Sequence, residues 1–317
     1  MRVLVTGATG FVGGHLIPVL ETRGHALTIA LHRPGSGARL PTNPSGSGRR
    51  IVVVGNIDEH TDWRDALNGV DVVIHLAARA HVPDDEAANE DAFTKVNVNG
   101  TSRLVSDAIG ANVGRFVLMS SIGAVTTSSE ARVTLQTPCA PDTAYGRSKL
   151  AAEHGLIEQA SRSRMEWTIL RPTLVYGPGN PGNMERLVAL IRRGWPLPFG
   201  AIRNRRSFTF VENLADVTEV VLSHPNAKNA VFLVADGEDL STPELIRKIA
   251  TLAGSRTVLL PIPRALLDGP LRGADARNAL QRLESSLYVD IEPLRSKLDW
   301  TPSFGVDEGL RCMLTRP

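Results

Sequence analysis

Covalent crosslinks, a dominant charge and long apolar runs are all missing from this sequence. Only two cysteines occur among 317 residues, Cys139 and Cys312, too few for a disulfide framework. They read as incidental thiols in a reducing compartment. Charge is nearly balanced, 35 basic residues against 33 acidic. The basic excess of a general nucleic-acid binder is therefore absent, and no nucleic-acid polymer is expected as a partner. No run of about 20 apolar residues exists, so no membrane span and no membrane partner are expected. The chain enters an apolar strand at Val3-Leu4-Val5 and meets Gly7 at once, which leaves no room for a secretory apolar stretch; a cytoplasmic location is the expectation. No metal is expected.

What is present is a 42% hydrophobic chain, enough for a sizeable core. Short apolar runs alternate with helical patterns. Strands are predicted at Arg2–Thr6, Ala26–Leu31, Ile51–Val54, Val72–Leu76, Phe116–Ser120, Trp167–Leu170 and Val231–Val234. Most lack polar alternation, as strands buried on both faces do. Helices are predicted at Val12–Thr22, Ala87–Ile109, Ala144–Ser161, Met184–Arg193 and Asn213–Leu222. Repeated βα units of this kind give an α/β fold with a doubly wound parallel sheet, whose ligands sit at the carboxyl ends of the strands. Pro34–Gly48, rich in Gly, Ser and Pro, reads as a mobile loop. After Arg171 glycine, proline and arginine become frequent. The expected division is a first domain over 1–175, with segments returning to its sheet near Phe208–Val211 and Val231–Val234 (207–236 overall). A smaller C-terminal lobe over 176–206 and 237–317 would hold the substrate.

Gly7, Gly10 and Gly13 follow the first strand and open the first helix. Glycine permits the tight turn and a close approach of backbone to a pyrophosphate, and the helix N-terminus offers free N–H groups and a positive dipole end. In this strand–loop–helix setting the triplet points to a Rossmann dinucleotide site, with Thr9, Phe11 and Val12 around the phosphates. The second strand ends at Leu31-His32-Arg33, without the acid that would hydrogen-bond an adenosine ribose. Arg33 either meets a 2′-phosphate, which favours NADP over NAD, or is a solvated loop arginine.

Tyr145 and Lys149 lie four apart on a predicted helix and share a face. A nearby ammonium stabilises a phenolate, so Tyr145 is expected to have a lowered pKa and to serve as general acid or base. Ser120-Ser121 ends a strand, where a hydroxyl can donate to an oxygen gaining charge. The G-x-x-G-x-x-G loop, Ser121, Tyr145-x-x-x-Lys149 and Arg171-Pro-Thr-Leu-Val-Tyr-Gly-Pro178, in that order, resemble the extended short-chain dehydrogenase/reductase family, epimerase/dehydratase type. That resemblance implies a catalytic Ser121–Tyr145–Lys149 triad. It implies a cofactor held also by His32, Asn56, Ile57, Leu76, Ala77, Ala78, Asn97, Ser120, Pro172 and Val175. Asn97 reads equally as a polar residue satisfied in helix packing. A homodimer through the helices Ala87–Ile109 and Ala144–Ser161 is typical of the family.

Gly179-Asn-Pro-Gly-Asn183, Pro196-Leu-Pro-Phe-Gly200 and Asn204-Arg-Arg-Ser-Phe-Thr-Phe-Val-Glu-Asn-Leu214 look like the nucleotide-sugar epimerases and reductases. By that likeness Asn183 and Arg206 would bind a substrate pyrophosphate, and Arg282 is a further candidate. The implied substrate is a UDP-hexose or UDP-N-acetylhexosamine of bacterial surface-polysaccharide pathways. The implied reaction is hydride transfer at C4, by a 4-epimerase or a 4-keto reductase. Leu31 and Arg33 lean it towards NADP(H) and a reductase. Ile122-Gly123 stand where the dehydratases carry Asp-Glu, which counts against a 4,6-dehydratase. A reductase of a small non-sugar carbonyl and a non-catalytic NAD(P)-binding sensor are the alternatives; sensors generally lose the tyrosine or lysine kept here.

Overall fold

The computed structural model describes residues 1–41, 48–80, 89–180, 182–263 and 280–315, and of Arg39 and Asn183 the backbone alone. Part of the Pro34–Gly48 loop and the first residues of the Ala87–Ile109 helix lie outside these. The chain begins with strand β1 (Arg2–Thr6), helix α1 (Phe11–Thr22) and β2 (Ala26–Leu31). Then come β3 (Arg50–Val53), the short α2 (Arg64–Leu67) and β4 (Val72–His75). A continuous helical run follows: α3 (Glu90–Phe93), a π-helical stretch Thr94–Gly100, and α4 (Thr101–Gly110). Beyond lie β5 (Arg115–Met119), α5 (Ala144–Ser161), β6 (Glu166–Pro172), β7 (Leu174–Tyr176) and α6 (Asn183–Arg192). The chain continues with β8 (Arg206–Phe210), α7 (Val211–Val220), β9 (Ala230–Val234), β10 (Asp239–Leu240) and α8 (Thr242–Leu252). The last helices are α9 (Glu292–Leu298) and α10 (Val306–Thr315).

The main sheet has seven strands in the order β3-β2-β1-β4-β5-β6-β9, every neighbouring pair parallel. Its strands are Val-, Ile- and Leu-rich because both faces are covered. One face packs Leu16, Leu20, Leu214, Val217 and Leu294 from α1, α7 and α9. The other packs Leu67, Leu104, Ala108, Ala152 and Leu156 from α2, α4 and α5. The strand order reverses beside β1, so a crevice opens between the carboxyl ends of β1 and β4, where such sheets bind ligands.

The two segments expected to rejoin this sheet part ways. Val231–Val234 does rejoin it, as β9 against β6. Phe208–Val211 does not: its strand, β8, joins a separate three-stranded sheet in the order β10-β8-β7. An apolar run fixes burial but not a partner. β7, continuing directly from β6, leads the chain off the main sheet and offers β8 a parallel edge. Tyr176, Phe208 and Phe210 of this small sheet pack with Ile191, Leu245 and Ile249 into a third core under the C-terminal lobe.

Candidate active site

At the carboxyl end of β1 two of the three glycines, Gly7 and Gly13, are required by contact. Gly7 has φ +71°, and a Cβ there would lie 2.6 Å from the Ala77 nitrogen. A Cβ on Gly13 would lie 2.4 Å from the Gly7 carbonyl oxygen. The loop is thus pressed against the end of β4, where Ala77 donates to the Thr6 hydroxyl at 3.2 Å and Leu76 to the Thr6 carbonyl at 3.2 Å. α1 starts at Gly10 with no side-chain cap and no acid in its first turn. Its unpaired N–H groups, beside the part-exposed Thr9, Phe11 and Val12, are left to an anion. That donor set fits a dinucleotide pyrophosphate. At the end of β2, Leu31 is buried in the core while His32 and Arg33 are exposed. His32 Nδ1 lies 3.0 Å from the Gly55 carbonyl, which leads into exposed Asn56 and part-buried Ile57.

α5 carries the proposed acid–base pair. Thr143 caps it by accepting from the Gly146 N–H at 3.0 Å. Gly146 must be glycine, since a Cβ would lie 2.2 Å from the Gly123 carbonyl. That close approach sets the Ser121–Gly123 turn against the first turn of α5. The side chains of Ser121 and Tyr145 meet there: a Cβ on Gly123 would lie 3.3 Å from the Ser121 Oγ and 4.0 Å from the Tyr145 ring. The Ser121 hydroxyl also accepts from the Gly123 N–H at 3.0 Å. Lys149, one turn on, is buried and donates from Nζ to the Met119 carbonyl at 2.6 Å.

The tyrosine's acidity departs from expectation. Burial pushes the Tyr145 phenol up to about 12, only partly opposed by the neighbouring Ser121 hydroxyl. Lys149 aims its ammonium at a carbonyl, so desolvation of the phenolate outweighs it. Burial brings Lys149 itself down to about 8, with Glu153 acting in the opposite sense. The site as it stands presents a protonated phenol.

Beneath the pair lies a network that sequence reasoning missed. Glu153, one turn past Lys149, is 1% exposed and receives a bidentate Arg171 at 3.0 and 2.5 Å. The Ser120 hydroxyl donates to the same carboxylate. Ser120, at the end of β5, is thereby tied to this buried pair. Asn97, in the π-helical stretch, is similarly occupied. Its Oδ1 accepts from the Arg79 N–H at 2.8 Å, and its Nδ2 donates to the Arg79 carbonyl at 3.0 Å and the Ser148 hydroxyl at 2.9 Å. It ties the loop after β4, with Ala78, to α5. His75 sits between Thr6 at 2.7 Å and Thr101 at 3.0 Å. Burial first, and Lys149's charge second, hold it down to about 3, so it is neutral in use. The i+4 spacing of Tyr145, Lys149 and Glu153 was the available signal: an acid on a helix's buried face needs a partner.

Arg171 opens the segment that leaves the main sheet. Pro172 is buried at the end of β6, and the Val175 carbonyl accepts from Asn180 Nδ2 at 2.6 Å. His15 of α1 bridges this segment to α7, with Nε2 3.0 Å from the Pro178 carbonyl and Nδ1 3.1 Å from Glu212. On the lobe, Arg206 Nη1 donates to the Arg282 carbonyl at 2.6 Å and the Ser285 hydroxyl at 3.1 Å. It has no carboxylate partner among the described residues, and burial lowers its pKa. A part-buried cation held only by neutral acceptors has capacity left for an anion. The exposed Arg282 meets Arg206 through its backbone, and the Asn183 side chain lies outside the described residues. Arg205 is engaged with Asp239 at 3.0 Å and lies over the Tyr288 ring. Among the described residues no group of three or more His, Cys, Asp or Glu could hold a metal, and no helix is long and apolar enough to cross a membrane.

Comparison with known proteins agrees with this geometry. The chain is 38% identical over 315 residues to a UDP-glucose 4-epimerase of Vibrio cholerae, covering 98% of this chain and 93% of that one. The fold superposes on MoeE5 in complex with UDP-glucuronic acid and NAD, with TM-score 0.79 and 27% identity, over 99% of this chain and 98% of that one. It superposes equally on a Bacillus cereus UDP-glucuronic acid 4-epimerase in complex with NAD, with TM-score 0.79, 99% and 97% coverage and 21% identity, a likeness of fold alone. Both neighbours hold NAD, and nothing supports the lean to NADP drawn from Leu31 and Arg33. Residues 3–235 match the model of the NAD dependent epimerase/dehydratase family, and this chain is an enzyme belonging to that family, of the extended short-chain dehydrogenase/reductase type.

Proposed function

We propose that this enzyme is an NAD-dependent 4-epimerase of a UDP-hexose or UDP-N-acetylhexosamine, with Ser121, Tyr145 and Lys149 as catalytic residues. The observation that carries the reading is that Ser121 and Tyr145 meet at the Gly123 turn, one helical turn from buried Lys149. Two hydroxyls there converge on one point, as needed to hold the oxygen of a carbon that gains and loses hydride. Tyr145 takes the C4 hydroxyl proton and returns it after the keto sugar has turned over, so no co-reactant is consumed. Ser121 holds the C4 oxygen in both halves of the cycle. Lys149 steadies the phenolate and, through Met119, fixes the helix against β5. Bound NAD would supply the hydride acceptor and a positive ring that eases proton release from Tyr145. Gly7 to Gly13, His32, Asn56, Ile57, Leu76 to Ala78 and Val175 would hold it. Arg206, with Asn183, would take the substrate diphosphate.

In this reading residues 1–173 with 211–236 form the cofactor domain, 174–210 with the small sheet and 237–317 the substrate lobe, and two copies pair through α4 and α5. The lean to a reductase rested on Leu31 and Arg33, and its support goes with that of NADP. The test is to denature the purified protein and identify the nucleotide released. About one NAD per chain, with interconversion of UDP-glucose and UDP-galactose or of their N-acetylamino forms, is expected. Empty protein that oxidises NADPH stoichiometrically with a 4-keto sugar would overturn the epimerase.

A further inference from the structure

We propose that the C-terminal lobe carries a docking surface for an anionic phospholipid bilayer, centred on Trp195, Val258 and Leu260. This inference is independent of the reaction assigned above. Few large apolar side chains are exposed on the described residues, and these three lie on one ribbon: Trp195 is 61% exposed, Val258 56% and Leu260 40%. Leu197 donates to the Val258 carbonyl at 2.8 Å, and Leu260 donates to the Leu197 carbonyl at 2.8 Å. The two segments therefore run side by side. Leu197 and Leu259 turn inward to the lobe core, while Val258 and Leu260, alternating with them, face out beside exposed Pro196.

Charge decides what covers this face. Residues 186–204 and 251–263 hold five arginines and no acid, whereas the whole chain carries only +2. The rest of the molecule is therefore net acidic, whereas the two segments that carry the apolar side chains are purely basic. Arg193 and Arg256 are exposed beside them, and the Arg193 guanidinium lies over the Trp195 ring, 5.8 Å from its centroid. An indole at the surface, flanked by aliphatic side chains and arginines, suits the headgroup layer: the ring sits at the boundary and the cations meet lipid phosphates. A neutral apolar partner would leave the arginines unsatisfied. A second copy of this chain would set like charges against each other.

The test is co-sedimentation with vesicles of phosphatidylglycerol and phosphatidylcholine, against vesicles of phosphatidylcholine alone, at low and high salt. Binding to the anionic vesicles is expected, at least tenfold weaker on neutral ones and reversed by high salt. Trp195→Ser with Val258→Ser and Leu260→Ser, or Arg193→Glu with Arg256→Glu, should each cut binding at least tenfold. Both variants should keep wild-type NAD affinity, which shows that they fold; Tyr145→Phe should bind vesicles as the wild type does. Iodide should quench Trp195 fluorescence before vesicles are added and be excluded after. No vesicle binding, binding indifferent to lipid charge, or a Trp195 already shielded from iodide would overturn the proposal. So would a concentration-dependent dimer abolished by the triple variant.

Discussion

Replacing Glu153 by leucine should be among the costliest single changes in this protein, and replacing Arg171 by methionine as well should undo most of the damage. Glu153 and Arg171 are both buried, and each depends on the other for neutrality. Removing one partner leaves an uncompensated buried charge, which costs about 3–5 kcal/mol. The Ser120 hydroxyl loses its acceptor at the same time, about 1 kcal/mol more. Leucine and methionine fill similar volumes without a charge, so the double variant should fall within about 1–2 kcal/mol of wild type. Urea unfolding of the four proteins, read as a double-mutant cycle, gives the coupling. If the two single costs simply add, the pair is not the closed unit described here. Glu153→Gln adds a test of function. Glu153 acts to raise the Lys149 pKa, which burial has brought to about 8. Without that charge, and with Arg171 unneutralised nearby, Lys149 should lose its proton at still lower pH. The alkaline limb of turnover should move down with it, while NAD affinity near neutral pH changes little.

His75 is held neutral with its pKa near 3, below its unfolded value. The unfolded chain therefore binds the extra proton, and stability should fall by about 1.4 kcal/mol per pH unit as pH drops from about 6 towards 3; His75→Gln should flatten that slope in urea unfolding. Gly13→Ala puts a Cβ into the Gly7 carbonyl and should abolish NAD binding, whereas Gly14→Ala, with nothing within 4 Å, should raise stability by about 0.5–1 kcal/mol in thermal unfolding. Arg206→Met should raise the KM for a UDP-sugar by tenfold or more without loss of stability, because the arginine it removes is part-buried without a carboxylate partner among the described residues; an unchanged KM would remove Arg206 from the substrate site. Tyr145→Phe should keep NAD binding and lose turnover by 10²–10⁴-fold, about the worth of a positioned acid–base group.

The sequence was most legible where local signals and burial coincide. β1, β2 and α5 have the predicted ends, because strand, turn and cap residues agree there. α8 was missed although Ser241 and Glu244 form a capping box around Pro243, a signal the polar surroundings hid. β8 was read as part of the wrong sheet, because its pattern of Phe208 and Phe210 would suit either. At the site, the i+4 rule placed Tyr145 and Lys149 on one face but not the direction of the ammonium, so the phenol's shift was expected with the wrong sign. For Asn97 the two readings of the sequence were even, and the fold supplies the packing partners: the Arg79 backbone and the Ser148 hydroxyl.

The placement of β9 has a consequence for how the chain comes into being. β6 is complete at Pro172, but its outer neighbour is Ala230–Val234, nearly sixty residues later. During synthesis the nascent protein therefore carries an open parallel edge of buried-type side chains until that strand has emerged. Fragments ending before Ala230 should self-associate through that edge, whereas chains extended past Val234 should not. The main sheet is finished late, by its outermost strand, after the chain has laid down β7 and β8 of the small sheet.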